Sequence, residues 1–230
     1  MEKIDCIYLM GGIGKRVKLG FPKQFQMLGG KPIFIHGLEL LNDIQEINDI
    51  IIVTCDIAKT QDIINQYSIA NKCLKYVGNG DTRQQSVYNA LESVETEHVL
   101  ISEAVRPFIS RNLYKKIIDN KAENITPIKT SVSTVIDILG NSYDREAIGE
   151  VQMPQKFKTN TLYYVHELSK SLDINNSTDD IDLLYKMKDI NNYEVNVISG
   201  EEINIKITTP LDLIIAEAIY AKIINSNGYE

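Results

Sequence analysis

The sequence predicts an α/β fold, a Rossmann-like and mostly parallel sheet with helices on both faces and a projecting β-arm. Three observations predict it. Short apolar runs alternate with helical-period segments over the first half of the chain. A glycine-rich, cation-rich loop, "GGIGKRVKLGFPKQF" (11–25), follows the first apolar run. The rhythm then breaks after about residue 125 into a β-branched, turn-rich stretch. Strand–helix alternation with uniformly apolar strands implies a parallel sheet buried on both sides.

The elements follow in order. "IDCIYLM" (4–10) reads as a buried strand, and "IFIHGLELLND" (33–43) has helical spacing. "DIIIVTC" (49–55) is a strand and "IAKTQDIINQYS" (57–68) a polar-faced helix. "CLKYV" (73–77) is a short strand and "RQQSVYNALESV" (83–94) a helix. "HVLIS" (98–102) is a strand, and "SRNLYKKIIDN" (110–120) a helix with Ser110 as its N-cap. Residues 125–157 do not fit a βα unit and read as a strand pair or arm. "TLYYVHELSKSL" (161–172) and "DDIDLLYKM" (179–187) return to helix. "YEVNVISG" (193–200) and "INIKITT" (203–209) read as strands, and Pro210 opens a final helix capped by Thr208 or Thr209. No repeat, low-complexity tract or linker divides the chain, which predicts one domain over residues 1–230 with an arm at about 130–157.

At 230 residues the chain is long enough for a sizeable core, and 43% hydrophobic with 24% charged residues is ordinary for a globular protein. A net charge of −7 argues against nucleic acid and anionic membranes as partners. No apolar run has the length of a membrane span, and the charged start, Met1 to Asp5, lacks a signal-peptide core. Cys6, Cys55 and Cys73 have no metal-ligand spacing, and two of the three lie in apolar strand-like runs where Cys is commonly a small buried hydrophobe. A reducing cytoplasm is the expected setting.

The glycine loop has three generic readings. A P-loop requires Gly-Lys-Ser/Thr, but Gly14-Lys15 is followed by Arg16 and Leu9 stands where its first glycine belongs. A dinucleotide fingerprint requires a third glycine where Val17 stands. The remaining reading is a phosphate cradle in which backbone N–H groups approach an anion and Arg16 and Lys23 add charge. Against all three stands a plain tight turn with solvated cations.

The loop resembles the nucleotide loop of the cytidylyltransferases of 2-C-methyl-D-erythritol 4-phosphate and D-ribitol 5-phosphate, with Gly-x-Gly-x-Arg and then Pro-Lys-Gln. Five further blocks agree in order: "GNGDTRQQSVYNAL" (78–91), "VLISEAVRPFI" (99–109), "YDREAIGEVQMPQKF" (143–157), "STDDIDLL" (177–184) and "NIKITTPLDL" (204–213). The resemblance spans nearly the whole chain. It implies attack of a substrate phosphate on the α-phosphorus of CTP with loss of pyrophosphate, a reaction served by positioning and charge stabilisation.

The resemblance also implies roles. Arg16, Lys23 and Lys206 would hold the phosphates, with Pro22 fixing the chain ahead of Lys23. A lone Lys206 among β-branched residues would be costly if buried without an anion; as an edge-strand lysine it would face water. Leu9, Met10, Gly11, Gly12, Gly14 and Arg83 would line the nucleotide. Gly80, Asp81 and Ser86 would read cytosine through its amine and its acceptors, although Asp81 also suits a helix cap. Arg106, Thr134, Arg145 and Thr178 would hold the acceptor, Arg145 from an arm embracing a second subunit of a homodimer. Asp179 and Asp180 also suit a helix N-terminus.

Departures from the family pattern are informative. His-Asp is replaced by Ser102-Glu103; the Asp there would bind Mg²⁺, and Glu103 keeps the charge on a longer side chain. Met10 replaces a small residue, and Met153 replaces a threonine of the acceptor pocket. "VRPFI" and "MGG" are closer to the ribitol type and "TDD" to the methylerythritol type. The expectation is therefore a cytidylyltransferase of a polyol phosphate, D-ribitol 5-phosphate first, in cell-wall or capsule polysaccharide synthesis. The methylerythritol enzyme of isoprenoid synthesis is the alternative, and Ser102-Glu103 raises a third, a catalytically silent nucleotide-binding relative.

Overall fold

The first strand, β1 (Ile4–Leu9), is buried along nearly its whole length, because neighbours cover both its edges and helices cover both its faces. The computed structural model describes residues 3–12 and 22–225, with side chains through Ile223. After β1 come a 3₁₀ turn (Lys23–Phe25) and a small antiparallel ribbon of β2 (Met27–Leu28) and β3 (Lys31–Pro32). Then follow α1 (Ile33–Asp43), β4 (Ile47–Thr54), α2 (Ile57–Ile64), β5 (Cys73–Gly78), α3 (Arg83–Leu91), β6 (His98–Glu103) and α4 (Arg111–Ile118). β1 pairs in parallel with both β4 and β6, and β4 with β5. The strand order reverses at β1, which leaves a crevice at the carboxyl ends of β1 and β6.

Side-chain caps start the helices. Asp56 accepts the Lys59 N–H, Thr82 that of Gln85, and Ser110 that of Leu113, the last as the sequence predicts. α2 and α3 end earlier than expected, each in a turn of i→i−3 bonds, such as Tyr67 N–H to the Ile64 carbonyl and Val94 N–H to that of Leu91. Two apolar cores sandwich the sheet. α1, α2 and α4 cover one face with Phe34, Leu38, Ile64 and Tyr114, and α3 covers the other with Val87 and Leu91. Cys6 is buried, whereas Cys55 and Cys73 are exposed beyond the covered part of their strands.

The second half adds β7 (Ile125–Thr130), β8 (Val135–Ile136), β9 (Ser142–Tyr143), β10 (Gly149–Val151), β11 (Gln155–Lys158), α5 (Thr159–Ser171), α6 (Asp180–Lys186), β12 (Asn196–Ser199) and α7 (Pro210–Asn225). α5 and α6 complete the second core with Leu162, Val165, Ile181 and Leu184. β11 lies antiparallel between β6 and β7, β10 continues along β7, and β12 pairs with β7 in parallel. The expected arm is thus divided. Residues 125–130 and 149–158 belong to the sheet, and the stretch between them carries the small β8–β9 hairpin with exposed Val132, Ile136, Ile138 and Leu139.

One expected strand is not present. Residues 203–209 form no ladder; Ile207 N–H bonds to the Val105 carbonyl. The alternating isoleucines that suggested a strand instead pack, with Leu28, Ile33 and Phe108, against α7. Thr209 caps α7, accepting the Asp212 N–H, while Asp212 accepts the N–H groups of Thr208 and Thr209 in return. Among the described residues no helix is long and apolar enough to cross a membrane.

Candidate active site

A cavity of about 610 Å³ opens at the carboxyl ends of β1, β5 and β6, where the reversal of strand order leads one to look for a ligand. Leu9, Met10, Gly11 and Gly12 line it from β1. Gly11 is required there by close approach, since a Cβ would lie 2.6 Å from that of Asn79 and push the β1 and β5 loops apart. Gly14 and Arg16 lie outside the described residues. Lys23 lines the cavity from the 3₁₀ turn. That turn is held by the neighbouring Gln24, buried, whose Nε2 donates to the Met10 carbonyl, and by Phe25 packed edge-on against Phe34. Gln24 has a structural role that sequence reasoning did not assign, although it lies within the quoted Pro-Lys-Gln.

The opposite wall is the loop into α3. Gly80, Asp81, Arg83 and Ser86 all line the cavity. The helix cap is Thr82, so Asp81 is not needed as a cap and faces the cavity. The Ser86 hydroxyl donates to the Thr82 carbonyl (2.8 Å) and accepts the Gly80 N–H (3.0 Å). It therefore shapes the loop and keeps one lone pair for a ligand.

Glu103, the last residue of β6, is the electrostatic centre. Its Oε1 accepts from Lys206 Nζ at 2.7 Å and its Oε2 from Arg106 Nε at 3.1 Å, with Arg83 Nε 4.0 Å from Oε1. Burial alone would raise its pKa, but Lys206, then Arg83 and Arg106, outweigh burial and bring it down to about 2. Lys206 stands on a loop and not on the strand expected at 203–209; its side chain is 40% exposed and lines the cavity, with Glu103 as partner. Arg106 is not among the lining residues; it braces Glu103 and donates from Nη1 to the Asn204 carbonyl at 2.8 Å.

Arg83 is held from behind by Asp180, whose Oδ2 lies 2.8 Å from Nη1 and whose Oδ1 is 3.1 Å from His166 Nε2. Burial pushes the Asp180 pKa up, and Arg83 and His166 overcome it to give about 2. Asp179 caps α6, accepting the Asp182 N–H, so both acidic residues have the helix-start and ion-pair roles that compete with ligand binding. Thr178 lines the cavity. Thr134 and Arg145 do not; Arg145 is exposed on the projecting stretch and donates to the Val132 carbonyl.

Among the described residues no group of three or more His, Cys, Asp or Glu side chains is placed to hold a metal. Of the two carboxylates that line the cavity, Asp81 and Glu103, the second is ionised amid its cations and keeps acceptor capacity on each oxygen. That fits Mg²⁺ held chiefly by phosphate oxygens and water.

A sheet with a switch-point cavity, a glycine loop and converging Lys and Arg side chains defines a Rossmann-like α/β nucleotidyltransferase. The family model described as 2-C-methyl-D-erythritol 4-phosphate cytidylyltransferase (IspD) matches residues 5–222. The chain belongs to that family and is a cytidylyltransferase that uses CTP. It is 31% identical to the enzyme of that name from Geobacillus thermodenitrificans, covering 94% of this chain and 96% of the relative. It is 34% identical to the one from Clostridium botulinum, covering 97% and 100%. Among solved structures, the 4-diphosphocytidyl-2C-methyl-D-erythritol synthase of Anaerococcus prevotii superposes with a TM-score of 0.81 at 29% identity, covering 96% of each chain. These relatives favour the methylerythritol alternative over the ribitol expectation, and give no support to a role in wall or capsule synthesis.

Proposed function

We propose that this protein transfers the cytidylyl group of CTP to 2-C-methyl-D-erythritol 4-phosphate. The observation that carries the reading is the cavity itself, with Lys23, Arg83 and Lys206 converging at the β1–β6 switch point of a chain belonging to this family. An acceptor phosphate oxygen attacks the α-phosphorus, and the bond from that phosphorus to the bridging oxygen breaks to release pyrophosphate. Arg16, Lys23 and Lys206 stabilise the negative charge on the phosphates in flight. Asp81 accepts from the cytosine amine, while the loop shaped by Gly80 and Ser86 holds the ring. Glu103 is the residue that would hold Mg²⁺, which when bound neutralises charge on the triphosphate.

The acceptor is held by Thr178, with Arg106 fixing the wall through Glu103. Thr134 and Arg145 serve the second subunit of a homodimer, since Arg145 does not line its own chain's cavity. A cytoplasmic setting belongs to the same reading. The test is pyrophosphate release from CTP with a panel of methylerythritol, ribitol and glycerol phosphates. Methylerythritol 4-phosphate should give the highest kcat/KM; a higher value for ribitol 5-phosphate would return the acceptor to the ribitol that "VRPFI" and "MGG" suggested.

A further inference from the structure

Lys206 sits on a segment that forms no ladder, so something other than the sheet must fix where its ammonium points. The buried side chain that grips the start of this segment is Gln152, between β10 and β11 at the base of the projecting hairpin. Its Nε2 donates to the Glu201 carbonyl (2.9 Å) and the Asn204 carbonyl (3.3 Å). Its Oε1 accepts from the Glu201 N–H (2.9 Å) and from Asn204 Nδ2 (3.3 Å). Asn204 is itself 1% exposed and donates to the Met153 carbonyl at 2.7 Å. Gly200 completes the fit, because a Cβ there would fall 2.3 Å from Gln152 Oε1.

These bonds form a closed circuit through the site. Asn204, gripped by Gln152, accepts from Arg106; Arg106 donates to Glu103; and Glu103 accepts from Lys206, two residues beyond Asn204. The bonds of Gln152 end at Glu201 and Asn204, and the connection to the cavity runs on from Asn204, through its carbonyl to Arg106 and along two residues of backbone to Lys206.

We infer that Gln152 is a positioning residue for Lys206. It clamps the 201–204 turn so that the Lys206 ammonium and the Glu103 carboxylate meet at the cavity wall, and it ties the base of the hairpin to that cation. The inference rests on the reading of Lys206 as a cation of the reaction.

The experiment compares the wild type, Gln152→Leu, Lys206→Met and the double variant. It measures kcat and KM for CTP by pyrophosphate release, and folding by the thermal midpoint. Gln152→Leu keeps the volume and removes the whole set of bonds. A displaced catalytic cation should lower kcat by about tenfold or more with a smaller change in KM. In the Lys206→Met background the same substitution should cost less than about twofold, because the group it positions is already gone. An equal loss in both backgrounds would overturn the inference and leave the role of Lys206 intact. Near-wild-type turnover in Lys206→Met would instead overturn the reading on which the inference rests. If Gln152→Leu does not fold, Gln152→Glu serves: it keeps the acceptor bonds and turns an oxygen toward the two carbonyls. Its kcat should fall by roughly fivefold, again only when Lys206 is present; an unchanged kcat in folded Gln152→Glu would also overturn the inference.

Discussion

The cavity wall and the projecting hairpin are built on opposite plans. In the wall nearly every polar group has a partner in the same chain: Glu103 meets Lys206 and Arg106, Ser86 meets Thr82 and Gly80, and Arg83 meets Asp180. On the projecting stretch Ile138 is fully exposed and Leu139 nearly so, while the polar contacts are local, Asp137 to Asn141 and Arg145 to Val132. The difference teaches that the described polar groups of the cavity wall are satisfied within one chain, whereas the stretch carrying Thr134 and Arg145 presents an apolar surface that the described residues of this chain do not cover. Exposed apolar edges of this kind invite pairing with a second copy.

The largest expected effect tests the cavity wall. Lys23→Ala should lower kcat by roughly 10²–10³ while KM for CTP rises far less, since a preorganised cation acts mainly on the transition state. Near-normal turnover would reduce the loop to a solvated turn. Next comes the division of labour between subunits. Lys23→Ala and Arg145→Ala should each be nearly inactive alone. Mixed one to one with confirmed subunit exchange, half the dimers are mixed and carry one intact site in two, so activity should recover to roughly a quarter of wild type. No recovery would place Arg145 in its own chain's site or in none.

A smaller effect concerns the metal. Glu103→Gln should raise the Mg²⁺ concentration needed for half-maximal rate, and Glu103→Asp should not; identical magnesium curves for the three proteins would remove Glu103 from metal binding. The fourth prediction is a stability measurement. Glu103 and Asp180 each have a pKa of about 2 in the fold, against roughly 4 in an unfolded chain. The folded pKa values are depressed, so the stabilisation is complete above about pH 4.5 and is lost as pH falls toward 2. Asp180→Asn should flatten that loss in acid unfolding curves; an unchanged slope would mean that Asp180 does not contribute. The smallest effect belongs to the hairpin: Ile138→Ser should change the stability of an isolated chain by no more than about 0.5 kcal/mol, yet weaken self-association in sedimentation.

Much of this was legible in the sequence because local chemistry decided it. Ser110 caps α4, the α1 boundaries match to the residue, and the glycine loop lies at a strand's carboxyl end. The illegible parts depend on long-range partners. "INIKITT" has the alternation of an edge strand, and only the packing of its isoleucines on α7 and the grip of Gln152 on Asn204 make it a loop. Residues 155–157 read as arm because nothing local says that Gln155 will pair with Ile101 on β6. Gln24 has no role of its own in the sequence reading, and only the position of the Met10 carbonyl reveals one.

The pairing of Thr130 with Gly149 has a practical consequence for protein engineering. Partners in an antiparallel ladder stand about 5 Å apart, so the chain leaves the sheet and re-enters it through two adjacent posts. A two-residue Asn-Gly connector suits such a gap and could replace residues 131–148 without cutting either strand. The shortened chain should retain nucleotide binding, measurable by calorimetry with CTP. It would also offer a graft point, where a hairpin from a relative with a different acceptor could be installed.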